Sequence, residues 1–544
     1  MIHSLFPSLR GAPLAIAALA IAAGGCSRRE SAVDAGVRTG TLLIGNFAEP
    51  LDLDPQVAYA ATDFNIIGAL FEGLTVLDER TSRALPGVAE SWEASPDGLV
   101  YTFHLRADAR WSDGDPVTAR DFLFSFQRIL TPAFAATYSY MLWPIRNAEA
   151  FNAGKITDFS QVGVRALNER TFQVTLTYPT PYLPALAAHN TWMPVQRKTI
   201  ERFGPAAKKG TAWTRPGNLV SDGPFMLSQW IPNSRIGVVR NPRYWDNAKS
   251  RLNRIEFFPI ENAETEELAF RAGQLHLTYD LPVSKIATYR NETPPQLRID
   301  PLLAEYFLVF NTTRPPFDRP KLRRALALAI DREQLCRDVM SGSRIAAHSA
   351  TPPNCGGYTA RAAIPNDFEE ARRLLAEAGF PGGRGLPTFE LQSYSDNMRL
   401  RTMEAIQARW KIELGIHITI TPIEQKTLFQ NQQTLNYQIG LSGWTADYPD
   451  PTTFLDTYMT GNGNNFTGWS DAAYDKLVQE AHRTADPARR FEWLQQAEAR
   501  LLDQAPMAPL FFWAQVYALH PAVRGWEPSA LNLHQLKNVW LEKR

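Results

Sequence analysis

One region in the second half of the chain constrains the fold most, because its apolar pattern changes period repeatedly. TFELQSY (388–394) and IHITI (416–420) alternate as β-strands do, and YQIGLSGW (437–444) is a further apolar strand. The first two strands flank a predicted helix at 397–414, which Gly415 ends in the left-handed conformation, and a second helix precedes residue 437. This order of elements predicts a mixed, largely parallel α/β lobe.

The stretch GWTADYPD (443–450) continues the last of these strands into a proline turn. Ligands of open α/β sheets bind beyond the carboxyl ends of the strands. The position of the stretch therefore predicts that Trp444 and Asp447 line a cleft. The pattern alone is equally consistent with Trp444 in the core and Asp447 as a turn residue ahead of Pro449.

The chain is long enough for more than one folding unit, with 544 residues of which 44% are hydrophobic. RTFQVTLTY (170–178) has strand period and PKLRRALALAIDREQL (320–335) has helix period. Lys plus Arg and Asp plus Glu both total 56, so the formal net charge is zero. This balance argues against a nucleic-acid partner.

The N-terminus has the layout of an export signal, with Arg10 ahead of the apolar run LAIAALAIAA (14–23). The run is shorter than the roughly 20 residues that span a bilayer. AGGC (23–26) resembles the lipobox of bacterial lipoproteins, which implies cleavage before Cys26 and lipidation of its thiol. We therefore expect a signal peptide at 1–25, a tether at 26–40 and a lipid anchor on a bacterial membrane, facing the periplasm or the cell surface.

Motifs for catalysis and metal binding are absent from the sequence, which has no HExxH, CxxC, GxSxG, phosphate loop or dinucleotide fingerprint. We therefore expect no metal, no cofactor and a protein that binds rather than transforms its ligand. Asp447 with Asp450 is the alternative, as a carboxylate pair of a hydrolase. Cys336 and Cys355 are predicted either to form one local disulfide or to be two buried thiols.

Seven segments spread along the chain match one family in order. The chain resembles the oligopeptide-binding proteins of peptide ABC transporters, the extracellular solute-binding type of family 5. The matching segments are EPLDLDP (49–55), LFEGLTVLD (70–78), LPGVAESWEASPDGLVYTFHLRADARWSDGDPVTARDFLFSFQRIL (85–130), GPFMLSQW (223–230), RNPRYWDNA (240–248), FNTTRPPFDRPKLRRALALAIDR (310–332) and GWTADYPDPTTFL (443–455).

The resemblance implies an α/β, periplasmic-binding-protein-like clamshell of two lobes (type II, cluster C) with an extra domain on the first lobe. The chain is then expected to cross between the lobes near 300–305 and 513–516. The expected ranges are 41–71, 199–303 and 515–544 for lobe I, 72–198 for the extra domain and 304–514 for lobe II.

The resemblance also implies how the ligand is held, with its backbone gripped like an added strand. Asp447 corresponds to the acidic residue that receives the α-ammonium of a peptide. The other residues expected against the ligand are Tyr59, Ala61, Tyr140, Gly443, Trp444, Thr445 and Trp513.

The far end of the expected site departs from the family. Where some relatives carry cationic or imidazole groups for the peptide carboxylate, this chain has Leu441, Gln432 and Met398, and it has Gln425 where an aromatic residue often occurs. A carboxylate closed into a cleft without a cation is poorly compensated. Its capture is therefore supplied elsewhere, with Arg399 as the candidate, or is unnecessary for longer ligands, or is replaced because the ligand differs.

The function implied is that of a monomeric substrate-binding component of an ABC importer, which captures a short peptide and presents it to a permease and ATPase complex. The nearest alternative is the same fold binding a muropeptide, an oligosaccharide or a metal chelate. Two further alternatives are a hydrolase that uses Asp447 with Asp450 and a surface sensor or adhesin that works without a permease.

Overall fold

The structure is a computed structural model that describes residues 30–394 and 396–543. The predicted signal peptide at 1–25 and the predicted lipidation site Cys26 lie outside the described residues. Within the described residues, none of the helices combines the length and apolarity that a bilayer crossing requires.

The strands of the described residues are numbered in chain order. They are β1 (Thr41–Gly45), β2 (Thr75–Leu77), β3 (Ala84–Pro86), β4 (Ala89–Ala94), β5 (Val100–Leu105), β6 (Val164–Asn168), β7 (Thr171–Thr175), β8 (Phe225–Ile231), β9 (Arg235–Arg240), β10 (Arg254–Phe258), β11 (Leu297–Phe310), β12 (Ile345–Ala346), β13 (Phe389–Tyr394), β14 (Ile418–Ile423), β15 (Ile439–Thr445), β16 (Met507–Ala518), β17 (Val523–Arg524) and β18 (Trp540–Leu541).

The α-helices are numbered in the same way, and a short π-helix (Leu335–Val339) follows the tenth. They are α1 (Ala32–Thr39), α2 (Ala61–Leu70), α3 (Ala119–Leu130), α4 (Ala148–Asn152), α5 (Leu183–Leu186), α6 (Arg197–Glu201), α7 (Ala263–Arg271), α8 (Ile286–Arg290), α9 (Pro320–Leu328), α10 (Arg332–Gln334), α11 (Phe368–Glu377), α12 (Asn397–Leu414), α13 (Gln425–Gln433), α14 (Thr452–Leu455), α15 (Ala472–Arg483) and α16 (Pro487–Gln504).

Lobe I and the extra domain, named by the ranges given above, each contain a four-stranded sheet. The sheet of lobe I has the order β1-β10-β9-β8, and that of the extra domain has the antiparallel order β4-β5-β7-β6. Helix α3 packs Phe122 and Phe126 onto Phe172 of β7, with ring centroids 5.8 Å and 5.2 Å away. Buried side chains of both sheets belong to one continuous core, which joins the extra domain to lobe I.

Lobe II has its own core around a six-stranded sheet of order β12-β16-β11-β15-β13-β14. The expectation of a largely parallel sheet holds only for β15-β13-β14, because β11 pairs antiparallel with β15 and β16, and β16 pairs antiparallel with β12. Parallel pairing needs helical crossovers, and α12 and α13 supply these only between β13, β14 and β15.

Strands β11 and β16 run between the two cores as a long antiparallel pair, from Leu297 opposite Ala518 to Val309 opposite Met507. Their register shifts between Pro301 and Glu305. The expected crossing segments, 300–305 and 513–516, lie within these strands. A break in the ladder at this point leaves the backbone less constrained where the lobes meet.

Several predicted elements are present, some of them with changed limits. Helix α12 is found at Asn397–Leu414, and Gly415 ends it with φ 68° as predicted. Strand β14 begins at Ile418 rather than at 416, and α9 ends at Leu328 rather than near 335.

The predicted tether at 26–40 is wrong for its last part, because residues 32–39 form α1. The Ser31 side chain caps this helix by accepting a hydrogen bond from the backbone N–H of Asp34. Val33 is buried, and its N–H donates to the Gly273 carbonyl over 2.9 Å. A capped helix docked on lobe I is part of the folded body rather than a tether.

A candidate ligand-binding cleft

Asp447 lies just beyond the carboxyl end of β15, at the boundary between lobe II and the extra domain. Its backbone N–H donates to Thr453 Oγ1 over 3.2 Å, and its Oδ2 accepts a hydrogen bond from the Tyr140 hydroxyl over 3.2 Å. No cation pairs with this carboxylate among residues 30–394 and 396–543. Burial raises the pKa of Asp447 to about 6, and the Tyr140 hydrogen bond offsets part of that rise.

Tyr140 reaches Asp447 from the extra domain as part of an aromatic group. Its ring stacks on Tyr138 with centroids 5.4 Å apart, and Tyr138 meets Phe64 edge-on at 6.5 Å. Burial, with the charge of Asp447, raises the pKa of Tyr138 to about 12 and raises that of Tyr140 as well. Both phenols therefore stay protonated at neutral pH, and Tyr140 acts as a hydrogen-bond donor to Asp447.

Asp450 has a different role from Asp447, although only three residues separate them. Its carboxylate forms an ion pair with the buried Arg490, with distances of 2.6 Å and 2.8 Å, and accepts from the backbone N–H of Thr452. A carboxylate held in a buried bidentate ion pair has a structural role. This arrangement does not favour the hydrolase hypothesis, which needs a free carboxylate at both positions.

The strand segment at 441–445 offers an unpaired edge. On one side it pairs with β11, where Gly443 lies opposite Tyr306 and Thr445 opposite Ala304. On the other side, β13 pairs with β15 only at Ile439 and Gly440, so no strand of the described residues covers 441–445. Such an edge presents main-chain donors and acceptors to another chain in an extended conformation.

A cavity of about 170 Å³ opens beside this edge. Its lining combines aromatic, aliphatic and polar residues with one guanidinium, and consists of Tyr306, Tyr394, Arg399, Leu428, Phe429, Gln432, Leu441, Ser442, Gly443, Trp444 and Thr445. Two buried donors at this wall, Gln432 Nε2 and Trp444 Nε1, have no hydrogen-bond partner within the described structure. The cavity therefore suits a ligand whose hydrogen-bond acceptors meet these two donors, or water molecules that accept from them instead.

Arg399, the predicted candidate for carboxylate capture, lies in this cavity but is already engaged. Its Nη1 pairs with Asp396, and its Nη2 donates to the Tyr306 hydroxyl. The guanidinium also lies over the ring of Tyr394, 3.8 Å from its centroid. Of the three residues that differ from the family at this end, Leu441 and Gln432 line the same cavity, whereas Met398 packs against the core of lobe II.

The sequence carries no signal for a second cation, Arg344, which the rings of Trp513 and Tyr306 connect to the cavity. Trp513 stacks on Tyr306 with centroids 5.1 Å apart, and the Arg344 guanidinium lies 3.6 Å from the Trp513 ring centroid. Arg344 belongs to no motif, because it stands alone in SGSRIAAHS (341–349). Only the pairing of β12 with β16 brings this segment beside Trp513.

The two expected ligand residues of lobe I lie at the start of α2. Tyr59 is 53% exposed and Ala61 is exposed. The buried Asp63 fixes the loop before them by accepting from the backbone N–H groups of Leu51 and Ala60. The structure gives neither residue a hydrogen bond or ring contact with Asp447, Trp444 or Trp513, so their place against a ligand stays a prediction.

The cysteine alternatives are resolved in favour of two thiols, since Cys336 and Cys355 are both free and buried. Across the described ranges, no group of three or more His, Cys, Asp or Glu side chains is arranged to hold a metal ion.

Sequence comparison identifies relatives over almost the whole chain. Residues 83–466 match the family described as bacterial extracellular solute-binding proteins, family 5 Middle. The chain is 35% identical over 526 residues to the periplasmic oligopeptide-binding protein OppA of Salmonella typhimurium, which covers 94% of this chain and 95% of the relative.

Structural comparison gives the same family. The unliganded open form of the periplasmic murein tripeptide-binding protein MppA superposes with a TM-score of 0.82 at 29% identity, covering 93% of this chain and 98% of that chain. Haemophilus influenzae OppA in complex with RPPGFSPFR superposes with a TM-score of 0.75 at 31% identity, covering 93% and 99%. These neighbours confirm the predicted two-lobed fold. The chain therefore belongs to the bacterial extracellular solute-binding proteins of family 5.

Proposed function

We propose that the chain is the substrate-binding component of an ABC importer and captures short peptides in the cleft between its lobes. The observation that carries this function is the combination of an unpaired strand edge at 441–445 with a half-buried carboxylate, Asp447, at its end. The relatives named as oligopeptide-binding proteins support the same ligand class.

Asp447 receives the α-ammonium of the peptide. Burial without a cation makes the ionised carboxylate unfavourable and raises the pKa of Asp447 to about 6. An ammonium group supplies the missing charge through a charge-assisted hydrogen bond. Tyr140 remains on Oδ2, so the carboxylate keeps one donor from the extra domain and gains one from the ligand.

Residues 443–445 bind the peptide main chain as an added strand. Gly443 and Thr445 are exposed at the unpaired edge, and Trp444 between them walls the cavity. Main-chain hydrogen bonds give affinity without reading the sequence of the ligand. Side chains of different sizes then enter the cavity, where water bridges satisfy the polar groups that they leave unmatched.

The remaining parts of the proposed function are those that membership of the family implies. The protein is exported as a monomer to the periplasm or the cell surface, carries a lipid anchor at Cys26, and changes no bond in its ligand. Tyr59, Ala61 and Trp513 contact the ligand as the lobes close. Because a ligand that contacts both lobes favours the closed state, the permease and ATPase complex distinguishes loaded protein from empty protein by shape.

The test begins with native mass spectrometry of the protein from Ser27 onward, as purified and after denaturing release. A series of co-purified peptides of differing sequence is expected. Calorimetric titration then compares one peptide with its N-acetylated form, in wild type, in Asp447→Asn and in the exposed control Asp338→Asn.

N-acetylation and Asp447→Asn should each weaken binding by about 10- to 100-fold, and Asp338→Asn should have no effect. A single non-peptide mass, or N-acetylated peptides that bind as tightly as free ones, would contradict the proposal and point to a different solute.

A further inference from the structure

Arg344 is a cation that forms no ion pair within the described residues. Its Nη1 donates to the Ser343 carbonyl over 2.9 Å and to Ser343 Oγ over 3.2 Å, and its buried Nε has no acceptor. No carboxylate of the described ranges forms an ion pair with it. An unpaired guanidinium shielded from water is unfavourable unless a bound group completes it.

Aromatic rings connect this cation to the cavity beside the unpaired edge. Arg344, Trp513, Tyr306 and Arg399 form a column with successive separations of 3.6 Å, 5.1 Å and 4.9 Å. Tyr306 lines the cavity, so the column leads from the cavity to Arg344. The two separations between Arg344 and Tyr306 together amount to about two or three residues of extended chain, within reach of a peptide held on β15.

The two arginines at the ends of the column differ in how their charge is compensated. Arg399 is neutralised by Asp396, and its second nitrogen is used by Tyr306. Asp280 of lobe I is the carboxylate that interacts with Arg344, from beyond ion-pair distance, and it accepts a hydrogen bond from Gln515 Nε2 over 3.0 Å. Burial raises the pKa of Asp280 to about 6 even with Arg344 nearby, so the two groups compensate each other poorly.

We propose that Arg344, held over the ring of Trp513, receives a carboxylate of the bound peptide. This inference rests on the proposed function and goes beyond it by naming the residue that meets the ligand carboxylate. At the positions where some relatives carry a cation or an imidazole for that carboxylate, this chain has Leu441, Gln432 and Met398. Contact with the indole holds the guanidinium in place, and its unused N–H groups then offer preformed hydrogen-bond donors to carboxylate oxygens.

The carboxylate has two sources, the C-terminus of the peptide or an acidic side chain, and the test separates them. Alanine peptides of about three to six residues with a free amino terminus are titrated calorimetrically in three forms. One form has a free C-terminus, the second has a C-terminal amide, and the third is an amide with one internal Glu. The proteins are wild type, Arg344→Gln, Arg344→Lys, Arg399→Gln, and Arg251→Gln as a control in which an exposed arginine stacked on Trp540 is lost.

Wild type is expected to bind one or both acidic forms about 10- to 100-fold more tightly than the neutral amide. Arg344→Gln should remove that preference while leaving the affinity for the neutral amide within about threefold of wild type. Arg344→Lys, which keeps the charge but not the planar fork, should retain part of the preference. Arg399→Gln, at a residue that lines the cavity, should keep the preference even if it changes the affinity for all three forms, and Arg251→Gln should change neither.

Preference for the free C-terminus identifies the terminal carboxylate as the ligand of Arg344, and preference for the internal Glu identifies the side chain. Equal affinity of all three forms for wild type, with N-acetylation still harmful, would overturn the inference and leave the proposed function intact. Loss of the preference in Arg399→Gln but not in Arg344→Gln would overturn it too. Failure of every peptide to bind wild type would instead overturn the proposed function.

Discussion

The Tyr140 hydroxyl donates a hydrogen bond to Asp447 Oδ2 over 3.2 Å, across 307 residues of chain and across the boundary between the extra domain and lobe II. The carboxylate therefore has a fixed donor on one oxygen and no cation within the described residues. The carboxylate of Asp447 is therefore held in one orientation, and its negative charge is only partly compensated. An ammonium group that binds it would stabilise that charge strongly.

Peptide affinity should depend on pH through Asp447. Its pKa of about 6 means that the carboxyl is protonated below that pH and cannot attract an ammonium group. Affinity should therefore be highest near pH 7, where the Asp447 carboxylate and the peptide α-ammonium are both charged, and should fall by up to about tenfold per pH unit below pH 6. Calorimetric titration of one peptide between about pH 5 and 7 measures this, and in Asp447→Asn the remaining affinity should not change over that range.

Asp447→Asn should stabilise the empty protein at neutral pH. The pKa of about 6 in the folded protein exceeds the value of an unfolded aspartate, so the folded state binds the proton more tightly. The penalty of the charged form is therefore fully present above pH 6 and disappears as the pH falls below about 4.

The expected gain is about 1–3 kcal/mol at pH 7.5, measured as a shift of the urea midpoint, and it should shrink toward pH 4. Asp338→Asn, at an exposed carboxylate, serves as the control. A gain that is the same at both pH values would show that charge burial is not its cause.

Tyr140→Phe should weaken peptide binding by about fivefold at pH 7, because it removes the donor that orients Asp447. The hydrogen bond lowers the pKa of Asp447, so its loss should also move the pH midpoint of binding upward. The matched control is Tyr178→Phe, at another tyrosine of the extra domain that meets His482 edge-on. An unchanged midpoint in Tyr140→Phe would contradict the role of Tyr140.

Asp450→Asn should lower stability sharply, unlike Asp447→Asn. It leaves Arg490, which is 1% exposed, without its ion-pair partner. Breaking one side of a buried pair costs about 3–5 kcal/mol, which corresponds to a fall in apparent melting temperature of about 6–20 °C. Equal melting temperatures for the two variants in a thermal scan would contradict the structural role of Asp450.

Neither thiol of the folded body should react with a disulfide reagent at pH 8. Both cysteines are buried, and burial raises the pKa of Cys336 to about 12. The thiolate is the reactive form, so labelling should occur only after denaturation. A reductant should leave the melting temperature unchanged, whereas a lowered value would indicate a disulfide between Cys336 and Cys355.

The sequence determined the elements of lobe II whose signals are local. The apolar period and Gly415 are sufficient for α12, and the collinear motifs identify the family and its two-lobed fold. The position of Asp447 beyond a strand end also follows from the chain itself. The sequence-based prediction failed at residues 32–39, which were expected to be part of a tether but form a capped helix that docks on lobe I.

Only the tertiary structure decided what each charged group does. Asp447 and Asp450 have the same side chain in the same turn, yet Tyr140 approaches one and Arg490 the other. Arg344 becomes a candidate for carboxylate capture, and Arg399 is neutralised, because of Trp513 and Asp396 beside them. The physical reason is that the state of a charge depends on burial and on partners within a few ångströms, which chain folding brings together from distant positions.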